Sequence, residues 1–423
     1  MINSSDFQKI VTEQLKRKID KKSNPNQNKS INAPPSESQF IVAGPGSGKT
    51  TVMVLKILKF IFVDDVHPSS ILATTFTRKA AAELRSRILS WGDQIRQHLL
   101  NDPKQDKNAL RRLDFNQIIT GTLDSISEDV LRTHREPGAA PPVVVEDFVA
   151  SALMLRVGLF NNEKHHNKDL REYLIKLRGG AFGFNTNEMC KSLLEIKDRI
   201  YYDQVDWEEL KKENDHPGFE IAYQAINDYL NELKERNLYD FALVEAEFLD
   251  KLRDNKLDDF LKDLKIVLVD EYQDSNFLQE QIYFQLAQAA IQNVGSLTVV
   301  GDDDQSLYRF RGATVDLFTH FQERFKDQLN IEAPQVIYLS QNYRSTEHIV
   351  NFCNSFALRD HEFQPARVKG KPPIIPERNP PFTDFPILGM FRDDVESLSQ
   401  SLSNFINQIL YEDGYTIKQG KKG

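Results

Sequence analysis

The sequence predicts an α/β fold in which helices cover both faces of a parallel β-sheet. Short apolar runs alternate with segments of helical periodicity along most of the 423 residues. These runs are apolar at nearly every position rather than at every second one, which is typical of strands buried on both faces. The predicted strands are residues 40–43, 71–76, 118–120, 266–270, 297–301, 336–339 and 387–391.

The strand pattern stops between residues 130 and 265, where nearly every segment has helical spacing. We therefore expect a helical insertion between two strands of one sheet, entered through the Pro/Gly-rich residues 136–143. Upstream of the first strand, residues 1–22 read as a basic, solvated helix that leads into a flexible polar segment.

The composition is that of an ordinary globular protein, with 40% hydrophobic and 27% charged residues. Cys190 and Cys353 lie far apart without metal-ligand spacing, so we expect no disulfide framework, no zinc site and a cytoplasmic location. The most apolar stretch, residues 52–63, is too short to span a bilayer, and we expect no membrane partner. The net charge of −9 gives no global sign of nucleic acid, although a binding groove needs only local positive charge.

Residues 43–50 read Ala-Gly-Pro-Gly-Ser-Gly-Lys-Thr between an apolar strand and a helix, which is the setting of a phosphate-binding P-loop. In such a loop Lys49 reaches the β- and γ-phosphates, while the hydroxyl of Thr50 ligates Mg²⁺. A glycine-rich turn without this function would leave Lys49 unexplained at the start of an apolar helix. The predicted nucleotide-binding residues of this segment are Gly44, Gly46, Ser47, Gly48, Lys49, Thr50 and Thr51.

Two carboxylates, Asp270 and Glu271, end a wholly apolar run. The carboxyl end of a parallel strand is the usual place for a site in an α/β sheet. Asp270 suits the binding of Mg²⁺, and Glu271 could polarise an attacking water. An Asp-Glu pair is common on surfaces, but the P-loop upstream favours a joint nucleotide site.

Five blocks in a fixed order resemble the superfamily 1 DNA helicases of the UvrD/Rep/PcrA type. They are residues 43–50, 75–88 (TFTRKAAAELRSRI), 269–276 (VDEYQDSN), 300–313 (VGDDDQSLYRFRGA) and 339–350 (LSQNYRSTEHIV). Residues 24–27 (NPNQ) are similar to the family's glutamine motif, and residues 238–241 (LYDF) to the element by which its inserted subdomain returns to the sheet.

The resemblance implies a RecA-like P-loop core with a helical insertion, followed by an incomplete second RecA-like core, because two later family motifs are not found. The implied divisions are an N-terminal helix or lead-in at 1–23, a first core at 24–130 and 223–330, a helical subdomain at 131–222 and the second core at 331–423.

The resemblance also implies roles around ATP and Mg²⁺. Gln27 is similar to the glutamine that reads the adenine edge, and Tyr343 to the tyrosine that stacks on adenine. Gln305 resembles the glutamine that senses the γ-phosphate. Arg311 and Arg344 resemble arginines that reach toward that phosphate, where a guanidinium group neutralises developing charge. With Glu271, these last three residues are the catalytic candidates.

The DNA-facing candidates are aromatic and basic. Phe76, Tyr308 and Phe310 match positions on which the family stacks single-stranded bases, although Phe310 stands where many relatives have Trp. Arg78 opens the next helix and could meet the DNA backbone, but a solvated charge at a helix start is nearly as common. Asp124 replaces a histidine of the relatives, which puts one DNA contact in doubt.

By resemblance, we expect an ATP-dependent 3′–5′ DNA helicase that acts on single-stranded DNA or on duplex DNA with a 3′ tail. We expect unwinding to need a further polypeptide that supplies the second-core motifs. The alternative is a module that binds ATP and single-stranded DNA without unwinding.

Overall fold

The structure, a computed structural model, describes residues 2–19, 22, 24–135, 137–180, 185–306, 313–361, 364, 367–378, 387 and 389–412. The strands are β1 (Gln39–Ala43), β2 (Ile71–Thr74), β3 (Ile119–Gly121), β4 (Val143–Val144), β5 (Leu238–Tyr239), β6 (Ile266–Val269), β7 (Ser296–Gly301), β8 (Val336–Leu339), β9 (Gln341–Thr346) and β10 (Ile375–Arg378). The α-helices are α1 (Ser4–Gln14), α2 (Pro25–Asn32), α3 (Lys49–Phe62), α4 (Arg78–Leu100), α5 (Lys107–Arg112), α6 (Leu123–Thr133), α7 (Asp147–Leu153), α8 (Lys168–Leu177), α9 (Thr186–Tyr202), α10 (Trp207–Lys212), α11 (Pro217–Glu235), α12 (Phe241–Arg253), α13 (Asp258–Leu261), α14 (Phe277–Gln292), α15 (Val315–Thr319), α16 (Phe321–Leu329), α17 (Glu347–Arg359) and α18 (Val395–Asn407).

Six strands form one parallel sheet in the order β3-β2-β6-β7-β1-β8. Because all six run in the same direction, the segments that follow β1, β6 and β7 meet at one edge of the sheet. The prediction of an α/β fold with a parallel sheet is confirmed, and six of the seven predicted strands belong to it.

The seventh predicted strand, residues 387–391, is wrong for the four of its residues that the structure describes. They adopt no strand conformation, and the side chain of Phe391 is 93% exposed. A short apolar run becomes a strand only where a neighbouring backbone supplies hydrogen bonds, and none of the described strands pairs with it. β9 and β10 instead form a separate two-stranded parallel sheet.

Helices cover both faces of the large sheet, and β1 shows why its strands are apolar throughout. Ile41 and Ala43 pack into a cluster with α1, α3 and α4, whereas Phe40 and Val42 pack into a second cluster with α12, α14 and α16. Successive residues of a strand point to opposite faces, so both faces need apolar side chains.

The N-terminal helix is not solvated, which corrects the expectation for residues 1–22. Phe7, Ile10 and Val11 of α1 are buried against α3 and α4. Their spacing of three and four residues places them on one helix face. Lys9 is the one basic residue of α1, and the other basic residues of 1–22 follow the helix in the sequence.

The helical insertion has a neck made of two short parallel strands, in which Val143 pairs with Leu238 and Val144 with Tyr239. Between them lie α7 to α11, with a π-helical turn at Met154–Phe160 and a 3₁₀ segment at Asn161–His166. These helices share an apolar cluster of their own. The predicted boundary at 222/223 falls inside α11, whose buried residues on both sides belong to that cluster. We therefore propose the neck as the boundary.

Asp240, in the LYDF element, holds the end of the neck in place through its carboxylate. Its carboxylate accepts hydrogen bonds from Lys197 Nζ at 2.5 Å and from the Tyr229 hydroxyl at 2.9 Å. The other oxygen accepts from the Leu243 N–H and caps α12. One buried side chain thus joins α9 and α11 of the insertion to the first helix that returns to the sheet.

The predicted start of the second core, residue 331, precedes a strand of the large sheet. β8 pairs with β1 in the large sheet, with Phe40 opposite Val336 and Ala43 opposite Leu339. We therefore propose that the boundary between the two cores falls after Leu339. No described helix is both long and apolar enough to cross a membrane.

Candidate nucleotide-binding site

The P-loop connects β1 to α3 at the edge of the sheet where β6 and β7 also end. Gly46 and Gly48 have φ angles of 69° and 84°, which favour glycine. At Gly46 a Cβ atom would also lie 2.7 Å from Cβ of Arg344. Both the backbone conformation and the close approach of a second segment therefore require a residue without a side chain.

The side chain of Lys49 meets the acidic pair that follows β6. Its Nζ lies 2.8 Å from Oε2 of Glu271, and the same oxygen accepts a hydrogen bond of 2.9 Å from Gln273 Nε2. Glu271 has a φ angle of 55°, a left-handed conformation that is uncommon for glutamate. The turn directs its carboxylate toward the start of α3.

Asp270 is buried at the end of β6, where its N–H donates to the carbonyl of Thr74. Burial, followed by the charge of Glu271, raises the pKa of this carboxyl to about 7, although Lys49 acts in the opposite direction. Two carboxylates with one ammonium group leave a negative site. A divalent cation would offset it, and the carboxylate of Asp270 with the hydroxyl of the nearby helix-start residue Thr50 is a donor set that suits Mg²⁺.

A cavity of about 150 Å³ lies beside the P-loop on the side of α2. It is lined by Pro25, Asn26, Gln27, Ser47, Tyr338, Leu339, Ser340, Gln341 and Ile375. Gln27 Nε2 donates a hydrogen bond of 2.8 Å to the carbonyl of Ser47, which brings the glutamine motif and the loop together. The Ser47 hydroxyl is buried without a hydrogen-bond partner among the described residues. Thr51 is half-buried one turn further along α3.

The NYRS segment lies directly on the P-loop. Asn342 Nδ2 donates to the carbonyl of Pro45 at 2.6 Å, and the N–H of Tyr343 donates to the carbonyl of Gly46 at 3.0 Å. The Tyr343 hydroxyl reaches Asn24 at the start of α2. The structure thus brings Tyr343 and Arg344 together with Gln27 and the loop, and both side chains are exposed.

Gln305 belongs to the hydrogen-bond network that includes Glu271 and Gln273. Its Nε2 donates to the carboxylate of Asp302, and the Asp302 N–H donates to Gln273 Oε1 at 3.0 Å. Gln273 is a link that the sequence reasoning missed. Its place in the VDEYQDSN block, two residues after Glu271, was the available signal. Arg311 lies outside the described residues.

The DNA-facing candidates are only partly described. Phe76 is half-buried just beyond β2, and Arg78 is exposed at the first position of α4. Tyr308 and Phe310 lie outside the described residues. Asp124 is half-buried, and its carboxyl group hydrogen-bonds the buried Glu245.

The sheet and the P-loop define a RecA-like nucleotide-binding core. The family model of the UvrD/REP helicase N-terminal domain matches residues 23–326, and the chain belongs to this family. This finding confirms the resemblance inferred from the five blocks.

Curated relatives agree with that assignment. The chain is 31% identical over 334 residues to DNA helicase II of Haemophilus influenzae, which covers 78% of this chain and 40% of that protein. It is 29% identical over 327 residues to the probable DNA helicase II homolog of Mycoplasma capricolum, covering 77% and 39% of the two chains. The ATP-dependent DNA helicase UvrD1 of Mycobacterium leprae is 28% identical over 334 residues, covering 76% and 37%. The chain spans about two fifths of the length of these relatives.

Proposed function

We propose that this chain binds ATP with Mg²⁺ and hydrolyses it as part of an ATP-dependent DNA helicase of the UvrD type. The observation that carries the proposal is the contact of 2.8 Å between Lys49 Nζ and Glu271 Oε2. It joins a P-loop lysine to the residue suited to orient water, although 222 positions separate them in the chain. The names of the relatives, DNA helicase II and ATP-dependent DNA helicase UvrD1, support the same activity.

Phosphate binding is assigned to the loop and the start of α3. Lys49 would leave Glu271 for the β- and γ-phosphates, since phosphate carries more negative charge than one carboxylate. The N–H groups of the loop and of the α3 N-terminus would surround the phosphate oxygens. The assigned residues are Gly44, Gly46, Ser47, Gly48, Lys49, Thr50 and Thr51.

Hydrolysis is assigned to the acidic pair and its neighbours. Thr50 and Asp270 would hold Mg²⁺, which supplies positive charge at the β- and γ-phosphates. Glu271, released from Lys49, would accept a proton from the attacking water. Gln305, Arg344 and, by resemblance alone, Arg311 would contact the γ-phosphate.

Base recognition is assigned to the cavity beside α2. The amide of Gln27 would pair with the adenine edge, and the ring of Tyr343 would stack on the base. We expect ATP to bind more tightly than GTP or CTP. Equal affinity for the three nucleotides would remove Gln27 from the site.

Single-stranded DNA, or duplex DNA with a 3′ tail, is the proposed substrate, and 3′–5′ movement the proposed outcome. Phe76 and Arg78 lie beyond β2, which β6 and β7 separate from the P-loop strand β1. Phe76 would stack on a base, and Arg78 would contact a DNA phosphate. Tyr308 and Phe310 join this proposal by resemblance. A cytoplasmic location and free thiols at Cys190 and Cys353 belong to the same proposal.

The test is ATP turnover by the full chain with and without single-stranded DNA. Turnover that rises with DNA supports an ATPase coupled to DNA. The alternative is a module that binds ATP and DNA without turnover. Binding of both ligands with no phosphate release would establish that alternative and contradict the enzyme.

A further inference from the structure

Three consecutive aspartates follow β7, and one lysine from a distant segment lies among them. Nζ of Lys371 is 2.8 Å from Oδ1 of Asp302 and 2.9 Å from Oδ2 of Asp304, and it also contacts Oδ1 of Asp303. We call Asp302, Asp303 and Asp304 the acidic triplet. Its oxygens are close enough to hold a metal ion, but the ammonium group of Lys371 occupies the position that a cation would take.

The segment around Lys371 is fastened to the triplet at two further points. Arg367 forms a bidentate pair with Asp304, with Nε at 2.8 Å from Oδ1 and Nη2 at 2.9 Å from Oδ2. The N–H of Val368 donates to Oδ2 of Asp303 at 2.7 Å. Residues 367–371 therefore form a clamp on the acidic triplet.

The ion pairs between Lys371 and the acidic triplet are buried, which makes these charges strongly interdependent. The side chain of Lys371 is 4% exposed, and those of Asp302 and Asp303 are 0% exposed. Burial alone would lower the pKa of Lys371, but the three aspartates more than compensate and raise it. Removal of the lysine would leave buried carboxylates without a cation, so their positions depend on it.

A continuous path of short contacts joins the clamp to the P-loop. Lys49 pairs with Glu271, which accepts from Gln273 Nε2, while Gln273 Oε1 accepts from the N–H of Asp302. The carboxylate of Asp302 then contacts Lys371 on one oxygen and Gln305 on the other. Each step is a direct hydrogen bond or ion pair.

We propose that Lys371, aided by Arg367, is a positioning residue that couples occupancy of the P-loop to the segment at 367–371 and fixes Asp302, which in turn orients Gln305. This inference rests on the proposed nucleotide binding. When phosphate draws Lys49 away, Glu271 loses its cation and its contact with Gln273 changes. Gln273 holds the backbone of Asp302, so the change reaches the acidic triplet and its clamp.

The coupling is tested by hydrogen exchange of the full chain, followed in a peptide that contains Val368, with and without Mg²⁺ and a non-hydrolysable ATP analogue. The N–H of Val368 donates to the triplet, so its exchange rate reports on the clamp. We expect saturating analogue to change that rate by about fivefold or more. Nucleotide affinity is measured on the same samples.

Two variants interrupt the path, a third keeps the charge of Lys371, and a fourth is a control at a neighbouring lysine. Lys371→Met and Gln273→Leu should bind the analogue, with affinity shifted by no more than about the same factor because coupling is reciprocal, but without the exchange response. Lys371→Arg, which keeps the charge, should restore it. Lys369→Met removes an exposed lysine two residues away and should respond as the unaltered chain does.

The outcomes separate the coupling from the proposed function. If the unaltered chain binds the analogue and the Val368 peptide does not respond, the coupling is wrong and the nucleotide site stands. If the chain does not bind the analogue at all, the nucleotide site fails and the coupling fails with it. A response that persists in folded Gln273→Leu would also overturn the path, even if Lys371→Met does not fold.

Discussion

Two carboxyl pairs, each with one buried member, lie in the same core and have different partners. Asp270 and Glu271 have Lys49 as a partner, at 2.8 Å from Glu271. Glu245 instead accepts a hydrogen bond of 2.9 Å from Gln279 Nε2 and shares a hydrogen bond with the carboxyl group of Asp124. Burial, followed by the charge of Asp124, raises the pKa of Glu245 well above its usual value.

The difference indicates which of the two pairs is suited to bind a cation and a nucleotide. Two carboxyl groups can share a hydrogen bond only when one of them holds a proton, so the pair of Asp124 and Glu245 lowers its charge by keeping a proton. In the pair that follows β6, the charge of Lys49 favours the ionised carboxylates, and Lys49 is a partner that can leave for a phosphate. We infer that the first pair only joins α6 to α12, whereas the second remains available for a nucleotide and its cation.

The largest effect is expected at Glu271. Glu271→Gln removes the proton acceptor but keeps the size of the side chain, so ATP turnover should fall by about 10²–10⁴-fold while binding persists. Phosphate release and nucleotide titration measure the two separately. Glu323→Gln, an exposed residue of α16, should leave both unchanged. Normal turnover by Glu271→Gln would remove this residue from the chemistry.

Gly46→Ala should disrupt the P-loop, which lies beside the pair of Asp270 and Glu271. The added Cβ would lie 2.7 Å from Cβ of Arg344 at a φ angle of 69°, so the loop must shift and nucleotide affinity should fall by at least about tenfold. Gly138 also has a positive φ angle, but no atom lies within 4 Å of a Cβ built there. Gly138→Ala should therefore leave affinity unchanged, and equal affinity of both variants would contradict the tight loop.

Asp270→Asn removes the buried carboxyl group from the pair that has Lys49 as its partner. The pKa of Asp270 is raised on folding to about 7, so the folded state holds the proton more tightly between pH 4 and 7. Its contribution to stability therefore falls as pH rises through that window and stays low above it. Without Mg²⁺, the variant should gain about 1–3 kcal/mol of unfolding free energy at pH 8. It should also lose the stabilisation by Mg-ATP that the unaltered chain shows in thermal unfolding.

Glu245→Gln should have the smallest effect and should change only the free energy of unfolding. Its raised pKa makes the unaltered chain lose stability as pH rises from about 4.3, the value in the unfolded chain, to the folded value. The amide can still accept from Gln279 and can donate to Asp124, so the variant should gain about 1 kcal/mol at pH 8 and show less pH dependence. Nucleotide affinity should not change. Loss of affinity would mean that the two pairs are not separate in function.

Much of the fold and of the site follows from local sequence. The strands β1, β2, β6 and β7 are apolar runs with clear ends, and the P-loop and the pair at 270–271 follow two of them directly. Local pattern was enough because the carboxyl ends of parallel strands meet at one edge.

Other features depend on partners that are distant in the chain. β8 has the pattern of a strand, but only its pairing with β1 assigns it to the large sheet. Lys371 looks like an ordinary lysine between glycine and proline, and its role depends on aspartates 67 to 69 residues earlier. The prediction for α1 was wrong because its three charged residues are as many as the three apolar residues that pack on the core.

The most direct test of the central claim is a titration of Mg-ATP against the full chain and Lys49→Ala. Lys49 lies at the end of the P-loop and pairs with Glu271, so its loss should weaken binding by at least about tenfold. Lys29→Ala, an exposed lysine of α2, serves as the control and should bind as the unaltered chain does. Equal affinity of Lys49→Ala and the unaltered chain would contradict the nucleotide site.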